Sequence, residues 1–266
     1  RVPRSAVTPY RRPRRERPMN IYVCIARTPD TAARVRVHAD GLRVDPEGLQ
    51  FVVNPFDEFA LEEAVKLKEK AGGKVTAIAV GPADAQKDLR SCLAKGADEA
   101  ILLVPSGPTD GLGVAKLIAA KIKDAKPDAV FCGKQAVDDD QAAVGPALAA
   151  LLGVPVVAKV SKFEVDGTSF VATREIEGGL EPFAGSFPAV ITTDKGLNKP
   201  RAAGLKDIMG AKNKPLAQSN VDAPAPKLRL VRLEPPPERP AGRIVGEGKA
   251  ATGKLVDALR NEAKVL

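Results

Sequence analysis

Short apolar runs alternate with longer segments of helical periodicity across the first 150 residues of the chain. Residues 21–26, 75–80, 101–104 and 129–132 are almost uninterrupted apolar stretches, the pattern of parallel strands covered on both faces. Helices are expected between them. Asn54-Pro55 opens one, with Asn as the cap and Pro in the first turn, and Leu61, Ala64, Val65 and Leu67 give it an apolar face. A second covers about 83–95 and stops at Gly96. A third carries Val114, Leu117, Ile118 and Ile122, and a fourth covers 142–152 up to Gly153. Residues 34–38 and 42–44 alternate around Asp40-Gly41, which predicts a hairpin.

The second half changes character. Residues 156–165, 168–176 and 189–192 read as strands, the first two joined by a turn at Asp166-Gly167. Residues 220–242 are proline-rich and expected to be extended, and Leu255, Val256, Leu259 and Ala263 recur at helical spacing. The reading is an α/β protein, a doubly wound and mostly parallel sheet over residues 19–219, followed by an extended arm and helix over 220–266. The arm and helix are expected either to dock on another surface, such as a partner subunit, or to pack back on their own domain. Residues 1–18, with seven arginines and four prolines, form a leader outside the fold that is expected to be disordered.

Charge changes the picture less than its size suggests. The chain of 266 residues carries +8, but seven arginines against one glutamate put +6 into residues 1–18. A near-neutral body remains, without tryptophan and with ten aromatic residues, which argues against nucleic-acid binding. No apolar run reaches the roughly 18 residues of a membrane span. Cys24, Cys92 and Cys132 are widely spaced and form no Cys-x-x-Cys pair, so neither a disulfide framework nor a zinc ribbon is expected. The leader admits three readings: an over-extended gene start before Met19, an organelle transit peptide, or a basic interaction tail. The corresponding location is the bacterial cytoplasm, or the mitochondrial matrix if the leader is a transit peptide.

In a doubly wound sheet, ligands bind beyond the carboxyl ends of the strands where the winding reverses. Two strand ends stand out, Cys24-Ile25-Ala26 and the run from Cys132 through Gly133 to Asp140. The latter leads into a helix expected to begin near Gln141, whose free N–H groups favour a phosphate. Asp138, Asp139 and Asp140 are compatible with an anion only if they turn away or cap the helix. Alternatively they bind Mg²⁺ with Glu177 or Glu181, or form a solvated capped loop. There is no Walker loop, and Gly111-Leu112-Gly113 lacks the third glycine of a dinucleotide fingerprint. His38, the one histidine, falls in the hairpin, and no nucleophile–base pair emerges. The residues alone point to a nucleotide-like phosphate site without catalytic machinery, hence a carrier or binding subunit.

Four motifs in order carry a resemblance. They are Asn54-Pro55-Phe56-Asp57-Glu58 with Glu62-Glu63-Ala64-Val65, then Gly133-Lys134-Gln135-Ala136-Val137-Asp138-Asp139-Asp140. Arg174-Glu175-Ile176-Glu177-Gly178-Gly179-Leu180-Glu181 follows, then Leu197-Asn198-Lys199-Pro200-Arg201 with Ile208-Met209 and Ala211-Lys212. From Met19 to the C-terminus the chain resembles the β subunits of electron transfer flavoproteins. The resemblance implies an adenine-nucleotide α-hydrolase-like fold and a heterodimer with an α subunit that holds most of one FAD. It also implies a structural AMP in the β subunit, and electron transfer from flavin dehydrogenases of the acyl-CoA type to a quinone-linked oxidoreductase. No catalytic residue and no resident metal are implied.

The implied AMP site takes in Cys24, Asn54, Val80 and the segment Gly133, Gln135, Ala136, Val137, Asp138, Asp139, Asp140, Gln141, Ala142, Ala143 and Val144. Phe56 and Thr31 are implied to approach the flavin. Partner docking falls on Lys195, Gly196, Leu197, Asn198, Pro200 and Arg201. Lys195 stands where an apolar anchor is expected, so either Leu197 substitutes or the partner differs. Electron-bifurcating relatives hold a second FAD in place of AMP. Asp139 and Gln141 favour AMP here, whereas Val144-Gly145-Pro146 resembles the bifurcating branch. A stand-alone nucleotide-binding regulatory domain is the remaining alternative.

Overall fold

Strands buried on both faces require helices on both sides, and the computed structural model, which describes residues 18–238 and 241–266, has that arrangement. In chain order the elements are β1 (Met19–Ile25), β2 (Arg27–Pro29), β3 (Phe51–Val53), α1 (Pro55–Ala71), β4 (Gly73–Val80), α2 (Gln86–Ala94), β5 (Glu99–Pro105), α3 (Gly111–Ile122) and β6 (Ala129–Gly133). There follow α4 (Val144–Leu152), β7 (Val156–Asp166), β8 (Ser169–Ile176), β9 (Gly179–Ser186), β10 (Ala189–Thr193), α5 (Leu205–Ala211), β11 (Leu216–Val221) and α6 (Thr252–Asp257).

The main sheet runs β11-β5-β4-β1-β6-β10-β7-β8-β9. It is parallel from β11 to β7, and β8 and β9 extend it antiparallel. The chain winds from β1 outward through β4 to β5, then returns to lay β6 against the other side of β1. The winding therefore reverses between β1 and β6. Alternate residues of β1 serve opposite layers. Ile21, Val23 and Ile25 pack with Leu61, Val65, Leu89 and Leu93 of α1 and α2. Tyr22 and Cys24 pack with Ile118, Ile122 and Leu148 of α3 and α4. This two-sided burial is why the central strands read as continuous apolar runs.

Several expectations need correction. The hairpin over 34–44 contracts to one bridge, Val37 with Val44, around a turn in which Gly41 donates its N–H to the His38 carbonyl. The paired strands near it are β2 and β3, too short to show a period. The helix over 83–95 is a 3₁₀ turn at Ala83–Ala85 followed by α2. The fourth helix begins at Val144 rather than near Gln141. The expected terminal helix is α6, followed by a π-helical turn over Ala258–Glu262. β11 carries the sheet to Val221, two residues past the boundary set at 219. The leader expectation lies, apart from Pro18, outside the described residues.

Candidate functional site

The first turn of α1 sits under the reversal point and ties it together. Asn54 does not cap its own helix. Its side-chain amide donates to the carbonyl of Gln135 at 2.9 Å and accepts the N–H of Val137 at 3.2 Å, pinning the loop after β6. Asp57, one turn on, is buried. One carboxylate oxygen accepts the N–H of Ala26 at the end of β1, and the other accepts the N–H of Gly133 at the end of β6, both at 2.7 Å. From β10, the Thr193 hydroxyl reaches the carbonyls of Phe56 at 3.0 Å and Cys132 at 3.2 Å. Three strand ends and one loop are thus held by a single helical turn. Burial pushes the Asp57 carboxyl up to about 7, against the opposing pull of the two N–H donors.

Gly133 is where backbone meets helix. A Cβ at this position would lie 2.4 Å from Asp57 Oδ1, 2.7 Å from Phe56 Cβ and 2.9 Å from the Phe56 carbonyl carbon. Only glycine permits that approach.

Beyond Gly133 the loop folds over the strand ends. Asp140 and Ala142 take positive φ, 51° and 52°. Two of the three consecutive carboxylates are engaged within the loop: Asp140 accepts from the Gln135 side chain at 2.5 Å, and Asp139 accepts the Gln141 N–H at 3.1 Å. Neither caps α4, which has no side-chain cap and carries Pro146 in its first turn. A second helix start converges on the same place. A Cβ at Gly111 would lie 3.3 Å from Gln141 Oε1 and 3.5 Å from Ala143 Cβ. The two starts differ, because Asp110 caps α3 by accepting the Gly113 N–H at 2.8 Å. The start of α4 is therefore the one suited to an added anion. Gly145 has a packing reason of its own, since a Cβ there would lie 2.5 Å from Thr192 Cγ2.

The other expected residues surround this crevice unevenly. Cys24 and Cys132 are buried on the α3/α4 side, and Val80 ends β4. Contact with Cys24, then burial, raises the Cys132 thiol, so it stays protonated and is no nucleophile. Phe56 lies beneath Lys134, whose Nζ is 4.7 Å from the ring centroid and 2.9 Å from Asp194 Oδ1. Thr31 is exposed in the turn after β2. Among the described residues no three His, Cys, Asp or Glu side chains group to hold a metal ion. Two concavities lie elsewhere. One of about 760 Å³ lies between Lys66, Lys70, Phe163 and Phe170, and one of about 410 Å³ between Lys123, Lys126, Leu152 and Pro188.

The segment after β10 divides into inward and outward residues. Asn198 donates to the Phe59 carbonyl at 3.0 Å and to Glu63 at 2.9 Å. Arg201 forks onto Glu62 at 2.9 Å and Glu69 at 2.7 Å, and Leu197 packs against the core. Lys195 and Gly196 face solvent, and Pro200 is half-buried. The exposed apolar side chains come just after, on α5: Leu205 at 77%, Met209 at 61% and Ile208 at 48%. Ile208-Met209 stands out in the sequence as a motif, whereas Leu205 and Asp57 carry no site role there. For Leu205 there was no signal, because only the folded chain shows that this apolar triplet lies outside the core. For Asp57 there was none either, because an acid in a helix's first turn is ordinary.

A family model described as electron transfer flavoprotein domain matches residues 41–224. Among curated relatives, electron transfer flavoprotein subunit beta of Bradyrhizobium diazoefficiens is 42% identical over 256 residues, spanning 93% of this chain and 100% of the relative. The protein of that name from Bacillus subtilis is 36% identical, and the mitochondrial one from Arabidopsis thaliana 38%, each with the same two shares.

Proposed function

The chain belongs to the electron transfer flavoprotein family, as a β subunit, and on that footing we propose that it holds a structural AMP in the crevice between β1 and β6. It would also help an α subunit shield a shared FAD, so that the heterodimer carries electrons from acyl-CoA-type flavin dehydrogenases to a quinone-linked oxidoreductase. The observation that carries the reading is the crevice itself: strand ends gathered by Asn54, Asp57 and Thr193, beside a helix start with no side-chain cap.

The residues suit a nucleotide phosphate. The first turn of α4 would hold it through backbone N–H groups, with Asp139 and Asp140 engaged in the loop. AMP there would stabilise the folded chain by mass action and take no part in chemistry. Bound FAD supplies the electron-carrying group. This chain's residues shape its surroundings, with Phe56 and Thr31 at the flavin side and Lys134 held between Phe56 and Asp194. Location in a bacterial cytoplasm or a mitochondrial matrix fits this role.

Donor docking would use the exposed triplet of α5 as its apolar centre, with Lys195 as a rim cation. Arg201 and Asn198 would act as internal clamps. Leu205→Asp is then expected to raise the KM for the electron donor roughly tenfold with flavin content unchanged. Lys195→Leu should change it only about twofold. Both are read from steady-state reduction of the heterodimer, and loss of flavin from the Leu205 variant would assign the surface to the α subunit instead.

Of the run Val144-Gly145-Pro146 that resembles the bifurcating branch, Gly145 has a packing reason of its own on Thr192, and Val144 and Pro146 still speak for that branch. The stand-alone alternative leaves the arm unexplained, with Leu230, Val231 and Ile244 exposed at 50%, 72% and 85%. Co-expression with an α subunit, denaturation and identification of the released nucleotides test the proposal. One AMP and one FAD per heterodimer are expected. Two FAD would move the chain to the bifurcating branch, and no nucleotide would remove the site.

A further inference from the structure

A carboxylate in the first turn of a helix ordinarily serves that helix. Asp57 instead commits each oxygen to the end of a different strand, Ala26 of one and Gly133 of the other, at equal distances of 2.7 Å. Between those two ends lies the reversal point of the sheet. An ionised carboxylate can accept both N–H groups. A protonated one carries a hydrogen on one oxygen, and that oxygen no longer accepts well from an N–H facing it.

We infer that Asp57 is a positioning residue of the crevice: as a carboxylate it holds the ends of β1 and β6 together, and on taking up a proton it lets one go and the bound nucleotide leaves faster. This rests on the reading of the crevice as a nucleotide site.

The surroundings bring the proton within reach of neutral pH. Burial, with Glu58 of the same helix adding to it, brings the carboxyl to about 7. Glu58 is itself tied to Lys95 beyond α2, at 2.6 Å. From α2 the neighbour is Cys92, pushed up by burial, and from β6 it is Cys132, also raised, so both thiols stay neutral across this range. β4 meets α1 with Val75, Ala77 and Ala79. On the β10 side stands Thr193, next to the Lys134–Asp194 pair.

Two trends of opposite sign follow. Nucleotide retention should fall as pH drops through about 7. Stability of the empty chain moves the other way. The folded chain binds this proton more tightly than the unfolded one, whose carboxyl has the ordinary value of 3.8. The stability linked to this group therefore declines as pH rises from there to about 7. A latch with only a structural role, indifferent to its proton, produces neither trend.

The test uses the heterodimer loaded with labelled AMP and measures its release rate from about pH 6 to about pH 8.5 in wild type and Asp57→Asn. Wild type is expected to release roughly tenfold faster at the acid end, the effect of one lost charge-assisted hydrogen bond. The amide offers one acceptor and one donor to two N–H groups, so Asp57→Asn should release fast at every pH. His38 is common to both proteins, so their difference isolates residue 57. A flat wild-type profile with AMP bound overturns the inference, and that measurement stands even if the variant does not fold. A wild-type heterodimer that holds no AMP at about pH 8.5 removes the nucleotide reading itself, and the inference with it.

Discussion

Replacing Gly133 with alanine is expected to empty the crevice and to lower stability by about 3 kcal/mol, the cost of forcing a methyl group into filled space. The added carbon would lie 2.4 Å from Asp57 Oδ1, 2.7 Å from Phe56 Cβ and 2.9 Å from the Phe56 carbonyl carbon. A flexible side chain could yield to it, but the backbone of α1 cannot without moving the whole helix. α1 in turn is pinned by the hydrogen bonds that define the site. To relieve the overlap the end of β6 must separate from α1, and the Asp57–Gly133 hydrogen bond is the first to break. Thermal unfolding of the variant should come roughly 6–12 °C lower, and nucleotide per folded chain should fall well below one. Gly179→Ala is the control. A Cβ at that glycine would meet nothing within 4 Å, and its φ is not positive, so melting and nucleotide content should both match wild type.

Arg201→Ala is the second large effect. Glu62 is buried with 5% of its side chain exposed, and Arg201 is its charged partner, giving it both Nε and a backbone N–H. Removing the guanidinium leaves that carboxylate buried without its counter-charge, with only the backbone N–H of residue 201 still donating, the costly way to break an ion pair. The pairing with Glu69 is exposed and contributes little. Arg201 is itself 35% exposed, so water enters part of the gap and the full buried-pair penalty does not apply. A loss of about 2–3 kcal/mol is expected, seen as a fall of roughly 5–10 °C in the melting midpoint. Arg201→Lys should recover less than half of it, because an ammonium cannot reproduce the fork. Freeing this clamp also loosens the chain leading to α5, so the KM for an electron donor should rise while AMP content holds.

The parts of the fold that were legible are those where one physical cause shapes a whole element. Residues 21–25 and 129–132 are apolar throughout because helices cover both their faces, and that pattern survives in the sequence alone. The two strand ends singled out on that basis, Cys24-Ile25-Ala26 and Cys132-Gly133, flank the reversal between β1 and β6 in the sheet order. Elements without such a cause were not legible. β9 is an edge strand containing Pro182 and exposed Leu180, and β11 is a polar edge strand over LAQSNV. Both are strands because of what they pair with. α5 buries only Ala211 and leaves Leu205, Ile208 and Met209 outside, so no burial pattern marks it.

The site shows the same division. Asn54 stands out in the sequence for a local reason, as a helix cap. Its actual partners, Gln135 and Val137, lie about eighty residues away. Asp57 also acts at long range, 76 residues from Gly133. Position in the sequence marks such residues as polar and well placed, but only the assembled sheet reveals what they hold.

The AMP site and the Asp57 latch both depend on the nucleotide lying at the reversal point between β1 and β6 and not in the concavity beside α1. Photolabelling of the heterodimer with an azido derivative of AMP, followed by mass-spectrometric mapping of the modified peptides, tests this most directly. Adducts are expected on the crevice residues, at the end of β1, around Asn54 and Phe56, or between Gly133 and Val144, suppressed by excess AMP. Adducts confined to the walls formed by Lys66, Lys70, Phe163 and Phe170, suppressed in the same way, would contradict it.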